Sequence, residues 1–258
     1  MRSAALSSAR VLAIATAAAA ALLSGTGGAR AEEFGGSAAL YVWLPRIDGE
    51  FSSAAGGRTV ETSISRGDLL ESLDFGVMGA GEITYGRFAL LNDTVYSKLG
   101  NDGSVRGNPS VSVDVDTKML LTTTAFGYHA YVDRGRLIEP FAGVRYVWMS
   151  TDVTATSSAL EGATAGADLD VSWWDPVIGV RGRLPLSETW TVSGIAEIGG
   201  FGIGSEFTWQ IFAGVEYAIS ERISANAGFR YLSIRYSADR VDVDVSQYGP
   251  LVGLVMRF

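Results

Sequence analysis

The sequence predicts an all-β protein, a closed antiparallel β-barrel that crosses a membrane, on three observations. Apolar residues recur at every second position through much of the chain after residue 31, the period of strands with two unlike faces. No stretch in that region holds 18 consecutive apolar residues, so a transmembrane helix is not predicted. Lipid offers backbone polar groups no partners, which leaves the closed barrel as the spanning structure. Third, the two ends agree: the chain opens like an export signal and finishes on an alternating strand. Val252, Leu254, Met256 and Phe258 share one face of that strand; Leu251, Gly253, Val255 and Arg257 share the other.

Residues 1–31 carry a short basic start (Arg2, Arg10), an apolar run from Val11 to Leu23, and the small pair of Ala29-Arg30-Ala31. That order predicts a signal peptide cleaved before Glu32, with one barrel domain over 32–258. Three of the 20 Lys+Arg and none of the 28 Asp+Glu lie in the signal, so the mature part is more acidic than the whole. Lysine occurs at Lys98 and Lys118 alone; clustered phosphate contacts, and hence nucleic acid as a partner, are not expected. The absence of cysteine excludes disulfides and thiol catalysis, and one histidine, His129, leaves little for zinc or His-dependent chemistry. Glycine at 32 and proline at 6 residues fit a β composition.

Strands are expected near 36–46, 74–85, 87–99, 111–132, 137–155, 169–185, 189–199, 205–219, 222–237 and 243–258. Four tight turns (85–87, 133–136, 187–189, 220–222) alternate with five longer polar segments (47–73, 100–110, 156–168, 200–205, 238–242), the asymmetry of transmembrane barrels. Ten strands follow, with both termini periplasmic; eight is the alternative, because the first and third strands lack a clear period. In the second strand Phe75, Val77, Ile83 and Tyr85 oppose Glu82 and Thr84. In the fifth, Ala142, Val144, Tyr146 and Trp148 oppose Glu139, Gly143 and Arg145. In the eighth, Phe207, Trp209, Ile211, Ala213, Val215 and Tyr217 oppose Thr208, Gln210 and Glu216. Trp43, Trp148, Trp173, Trp174, Trp190 and Trp209 are expected in interfacial aromatic belts. Ser65-Arg66-Gly67-Asp68 before Leu69, Leu70 and Leu73 predicts one short helix over 66–73, capped by Ser65. It sits in the first long loop, solvated or plugging the mouth.

The residues resemble the small outer-membrane β-barrel proteins of Gram-negative bacteria, the OmpA/OmpW-like class. The resemblance rests on Tyr248-Gly249-Pro250-Leu251 through Phe258, on Tyr41-Val42-Trp43-Leu44-Pro45, and on Gly199 through Ser205 with Thr208-Trp209-Gln210. The last two look like a proteobacterial barrel family with no assigned activity. The resemblance implies outer-membrane location and a terminal strand read by the barrel-assembly machinery, with Tyr248, Leu254, Met256 and Phe258 as the assembly signal. It carries no catalytic or ligand-binding residues.

Two constellations stand out. Glu82, Glu139, Glu197 and Glu216, with Arg145, Arg181, Arg183 and Arg230, should project into the lumen as a charge network, since buried charges must be paired. Glu197 and Glu216 should approach each other with an arginine between them. The pairs Asp114/Asp116, Asp168/Asp170 and Asp242/Asp244 should gather at an acidic outer mouth, where Ca²⁺ or Mg²⁺ is the conceivable ligand; no cofactor is otherwise expected. The functional expectation is a narrow or gated channel for small solutes. A structural or interaction barrel with a closed, salt-bridged lumen is the alternative, and a lipid-modifying enzyme a distant third. No enzymatic activity is expected: His129 falls near the periplasmic rim without a serine beside it. Expected partners are outer-membrane lipid, lipopolysaccharide and the assembly machinery, the protein itself being a monomer.

Overall fold

A computed structural model describes residues 34–52, 59–105, 108–157, 163–238 and 241–258. The predicted signal peptide lies outside them. Among the described residues thirteen strands and one helix follow in order: β1 (Phe34–Trp43), β2 (Arg46–Ser52), β3 (Thr59–Ile64), α1 (Arg66–Ser72), β4 (Leu73–Tyr85), β5 (Phe88–Val105), β6 (Asn108–Tyr128), β7 (Tyr131–Asp133), β8 (Arg136–Ser157), β9 (Ala163–Pro185), β10 (Trp190–Gly199), β11 (Phe207–Ala218), β12 (Ile223–Ala238) and β13 (Val241–Arg257).

These close into a ten-strand antiparallel barrel. Neighbours in sequence pair in turn from β4 to β13, except that β6 pairs β8 and the short β7 lies off this path against β8; β13 pairs β1, with Ser37 opposite Arg257 and Trp43 opposite Leu251. β1 and β2 form one wall strand with a kink at Leu44-Pro45: β13 continues past the kink to pair β2, with Tyr248 opposite Arg46. Pro45 has no N–H to give a ladder, and the Leu44 N–H is returned to the wall by donating to the Pro250 carbonyl at 3.0 Å. Gly249 makes the kink possible. A Cβ there would collide with the Leu44 carbonyl. β3 with β4, and β6 with the short β7, likewise act as single wall strands.

The short turns and the 200–205 loop match the expectation; the other four long loops do not. Segment 47–73 is mostly a hairpin, β2 with β3, and then α1. Its helix has the predicted capping box: Ser65 Oγ accepts from the Asp68 N–H, and the Asp68 carboxylate accepts from the Ser65 N–H. Segments 100–110, 156–168 and 238–242 are largely strand too, so β5, β6, β8 and β9 stand as a tall sheet beyond the lipid. A polar strand with water on its outer face reads as a loop by composition, but its cross-strand ladder holds it extended.

Exposure alternates along the wall. On β11, Thr208, Gln210 and Glu216 are buried while Phe207, Trp209, Ile211, Val215 and Tyr217 are exposed. The exposed apolar side faces lipid and the polar side faces the lumen, the arrangement of a membrane barrel. Outward aromatic pairs mark two belts. Trp209 stacks on Tyr231 at 4.6 Å, Tyr231 on Tyr248 at 5.7 Å, and Tyr146 meets Trp174 at 4.6 Å. Near the tight turns, Phe88 meets Tyr128 and Trp190 meets Tyr217. Trp209 and Tyr217 are eight residues apart on β11, or about 27 Å of strand and about 21 Å of height at a tilt near 40°, close to the ~25 Å apolar band of such barrels. Trp43 and Trp173 depart from the expected belts. They are 2% and 7% exposed and point into the lumen.

Candidate functional site

The lumen is filled by two layers of charge and a cap of apolar residues. Each wall strand contributes alternate residues inward, so side chains distant in sequence meet across about a barrel's width.

Towards the tight-turn rim, Arg181 on β9 bridges two acids. Its Nε and Nη2 donate to the two oxygens of Glu139 on β8, each at 2.9 Å, and Nη2 also reaches Glu82 on β4. A planar guanidinium suits this fork geometry. Glu139 is fully buried. Gly127 across from it leaves room for the carboxylate, which a Cβ there would strike. His129 Nε2 lies 2.9 Å from Glu139 Oε2. In the same layer Glu216 accepts from Arg183 at 3.3 Å and from Arg257, whose Nη1 also donates to Ser224 Oγ at 2.7 Å.

The second layer is deeper. Arg145 is 0% exposed. Its Nε donates to Thr123 Oγ1 at 3.1 Å, its Nη1 to Thr208 Oγ1 at 3.0 Å, and its Nη2 to Glu197. Arg230 donates to Gln210 at 2.9 Å, to Asp93 at 2.9 Å and to the Tyr41 hydroxyl at 3.2 Å, and lies 4.8 Å from the centre of the Trp43 ring. Tyr41 in turn donates to Asp93. Asp175, also fully buried, takes neutral donors: Trp173 Nε1 at 3.0 Å and the Ser205 N–H at 2.6 Å. A cavity of about 140 Å³ beside Tyr41, Asp93, Gln210, Asn226 and Arg230 has room for a few waters.

Above this layer the lumen turns apolar. Trp43, Val95, Leu121, Val147, Trp173, Leu232, Ile234 and Leu251 pack together from seven wall strands, with Tyr41, Met78, Val171, Phe212 and Tyr236 against them. Trp173 stacks on Tyr236 at 4.2 Å, across the top of the shorter β10 and β11.

Sequence reasoning placed all eight lumen charges on the inward face, and the structure brings them into the two layers just described. It differs on one pair. Glu197 lies opposite Gln210 and Glu216 opposite Thr191, so these glutamates sit in separate layers, Glu197 with Arg145 and Glu216 with Arg183 and Arg257. Sequence reasoning passed over Asp93, Asp175, Tyr41 and Arg257. Asp93 stands in a stretch without a period; Arg257 was assigned to the assembly strand, although its place opposite the apolar face signalled an inward side chain.

The acidic mouth is corrected. Asp114, Asp116, Asp168 and Asp242 are exposed and Asp244 half-exposed on the outer face of the wall. Unbroken register carries the inward positions Leu121 and Thr123 of β6 up to Val115, so Asp114 and Asp116 face outward. The same parity turns Asp168 and Asp170 of β9 away from inward Trp173, and Asp242 and Asp244 of β13 away from inward Val243. Beyond the lipid the outer face meets water and the inner face packs on itself, so the polar and apolar sides exchange. Asp116 meets Lys98 at 3.5 Å, and Asp244 meets Arg235 at 3.3 Å. Of the assembly-signal residues, Leu254, Met256 and Phe258 are exposed outward and Tyr248 is stacked in the upper belt.

Glu82, His129 and Glu139 are the described residues whose ligand atoms converge as a metal site would need. Arg181 already bonds both carboxylates, so an ion would have to displace a guanidinium. The site is better satisfied as an ion-pair network.

No known protein family matches the chain, and no curated protein does. Among solved structures it is similar to the outer-membrane protease OmpT from Escherichia coli, at 10% identity and a TM-score of 0.56, over 90% of this chain and 99% of that one. The attachment invasion locus protein Ail of Yersinia pestis superposes more loosely, at 10% identity and a TM-score of 0.37, over 88% and 99%. Neisserial surface protein A does so at 13% identity and a TM-score of 0.31, over 87% and 97%. With its apolar outer band, aromatic belts and closed ten-strand wall, the chain has the fold of a Gram-negative outer-membrane β-barrel.

Proposed function

We infer that this outer-membrane barrel is a structural or interaction protein with a closed lumen, rather than an open channel. The observation that carries this reading is the apolar layer across the interior. Trp43, Val95, Leu121 and Leu232 are each 2% exposed or less, and directly beneath them Arg145 and Glu197 are locked together. A solute would have to break an ion pair in low dielectric and then part a packed core. Its partners on this reading are membrane lipid and lipopolysaccharide, with the assembly machinery at insertion, and it works as a monomer.

The channel reading keeps one supporting observation, the cavity beside Asp93 and Arg230. Conductance across a planar bilayer separates the two. The folded wild-type protein should be silent, and Trp43→Ala should raise the frequency of brief openings. Reproducible unitary steps from the wild type would support the channel instead. The reading also gives the protein no enzymatic role. It is supported by the position of His129, inside the lumen and 2.9 Å from Glu139. Lipid profiles of cells carrying wild type or His129→Ala should be the same.

A further inference from the structure

We propose that the free edge of β9 is a docking site for an extended cationic segment, which adds to the barrel wall as a strand beyond the membrane. β9 pairs β8 along almost its whole length, from Ala163 to Arg183. On its other side it pairs β10 only from Val177 to Pro185. At the foot of the unpaired stretch the Pro176 carbonyl is taken by the Gly200 N–H, and the Asp175 side chain by Ser205. Residues 163–172 therefore present one side of their backbone with no strand partner among the described residues. Such an edge is a template for strand addition unless it is blocked, and it holds no proline or bulge.

Charge selects the occupant. Asp116, Asp152 and Asp168 occupy directly paired positions on β6, β8 and β9, all outward. Like charges in that arrangement repel. Lys98 meets Asp116 and Lys118 meets Asp152; Asp168 and Asp170, next to the open edge, have no basic partner among the described residues. On the inward side Leu169 is 41% exposed and Val171 half-buried. A strand with lysine or arginine on its outward positions and apolar residues between them would answer both faces. A second copy joined edge to edge would set Asp168 and Asp170 against their own kind, which disfavours self-pairing.

This inference rests on the wall beyond the lipid and is independent of whether the lumen conducts. The test uses the full folded chain in detergent micelles and a peptide of about eight residues alternating lysine and valine, the length of an ordinary strand. Hydrogen exchange read by mass spectrometry should show slowed amides within 163–172 on peptide addition. The same peptide methylated at alternate backbone nitrogens keeps its charge and loses its ladder, and it should bind far more weakly. Replacing both Asp168→Lys and Asp170→Lys should weaken the lysine peptide by at least about tenfold, the effect of two cross-strand charge pairs, and favour a glutamate–valine peptide. Equal binding of the methylated peptide, or no protection of 163–172, would overturn the proposal.

Discussion

Arg145 shows what a charge needs in order to sit inside the wall. It has no exposed surface, and three of its nitrogens reach Thr123, Thr208 and Glu197. Arg145→Ala would strand the Glu197 carboxylate in low dielectric, at a cost of about 3–5 kcal/mol. Urea unfolding of the barrel in lipid should show that loss, and replacing Arg145 and Glu197 together with methionine should recover most of it. Asp48, beyond the upper aromatic belt, gives a pH dependence. Hydrogen bonds from the hydroxyls of Ser63 and Tyr248, and then from Arg46, hold its carboxyl at about 2 against an ordinary 3.8. The ionised form is the bonded one, so its contribution is complete above pH 3.8 and is lost as pH falls through about 2. Amide protection of the hairpin of β2 and β3 should decline over that window, and Asp48→Asn should make it independent of pH there.

At the scale of elements, the segment Gly200–Ser205 is set by one buried carboxylate. Phe201 has φ +51°, with Gly200 at +85° and Gly202 at +73° on either side. An ordinary side chain resists that left-handed conformation, and Asp175 offsets the cost by accepting from the Ser205 N–H and Trp173 Nε1. Asp175→Ala leaves two buried donors unpaired, a local loss of about 1–3 kcal/mol. Exchange of the 200–205 amides should accelerate while the rest of the barrel keeps its protection. The same loop ends β10 and β11 early, and this is why β9 rises alone with a free edge.

At the scale of the molecule, the wall works as a sorting surface for the surrounding medium. Ala213 is exposed on β11 midway between Trp209 and Tyr217, so it lies near the middle of the apolar band. Ala213→Arg should cost about 2–4 kcal/mol by unfolding in lipid vesicles, as charges at the bilayer midplane do. Arginine in place of Thr164, exposed far up the tall sheet, should be near neutral. A comparable penalty at both positions would contradict the assignment of the lipid belt.

Alternation, the positions of the tight turns and the Ser65 cap pointed to ten strands ahead of the alternative of eight, and to their order and the short helix. Each is a local property: period two sets the face, a turn sets the hairpin, and a side chain two or three residues away sets the cap. Within the bilayer the same local rule also told inward from outward, which is why Glu82, Arg145 and Arg230 were legible as lumen residues. Beyond the bilayer the rule inverts, because water replaces lipid outside and packing replaces water inside. Composition cannot mark where along a strand that exchange happens, so Asp114 and its counterparts read as a mouth and Trp43 as a belt residue. Which charges pair was equally out of reach. Arg145 meets Glu197 across 52 residues of sequence and Arg181 meets Glu82 across 99, and only the closure and stagger of the wall decide which inward positions share a level. The apolar layer across the interior is a tertiary fact of the same kind. It arises because seven strands each bring an apolar residue to one height, while no single strand records what the others place there.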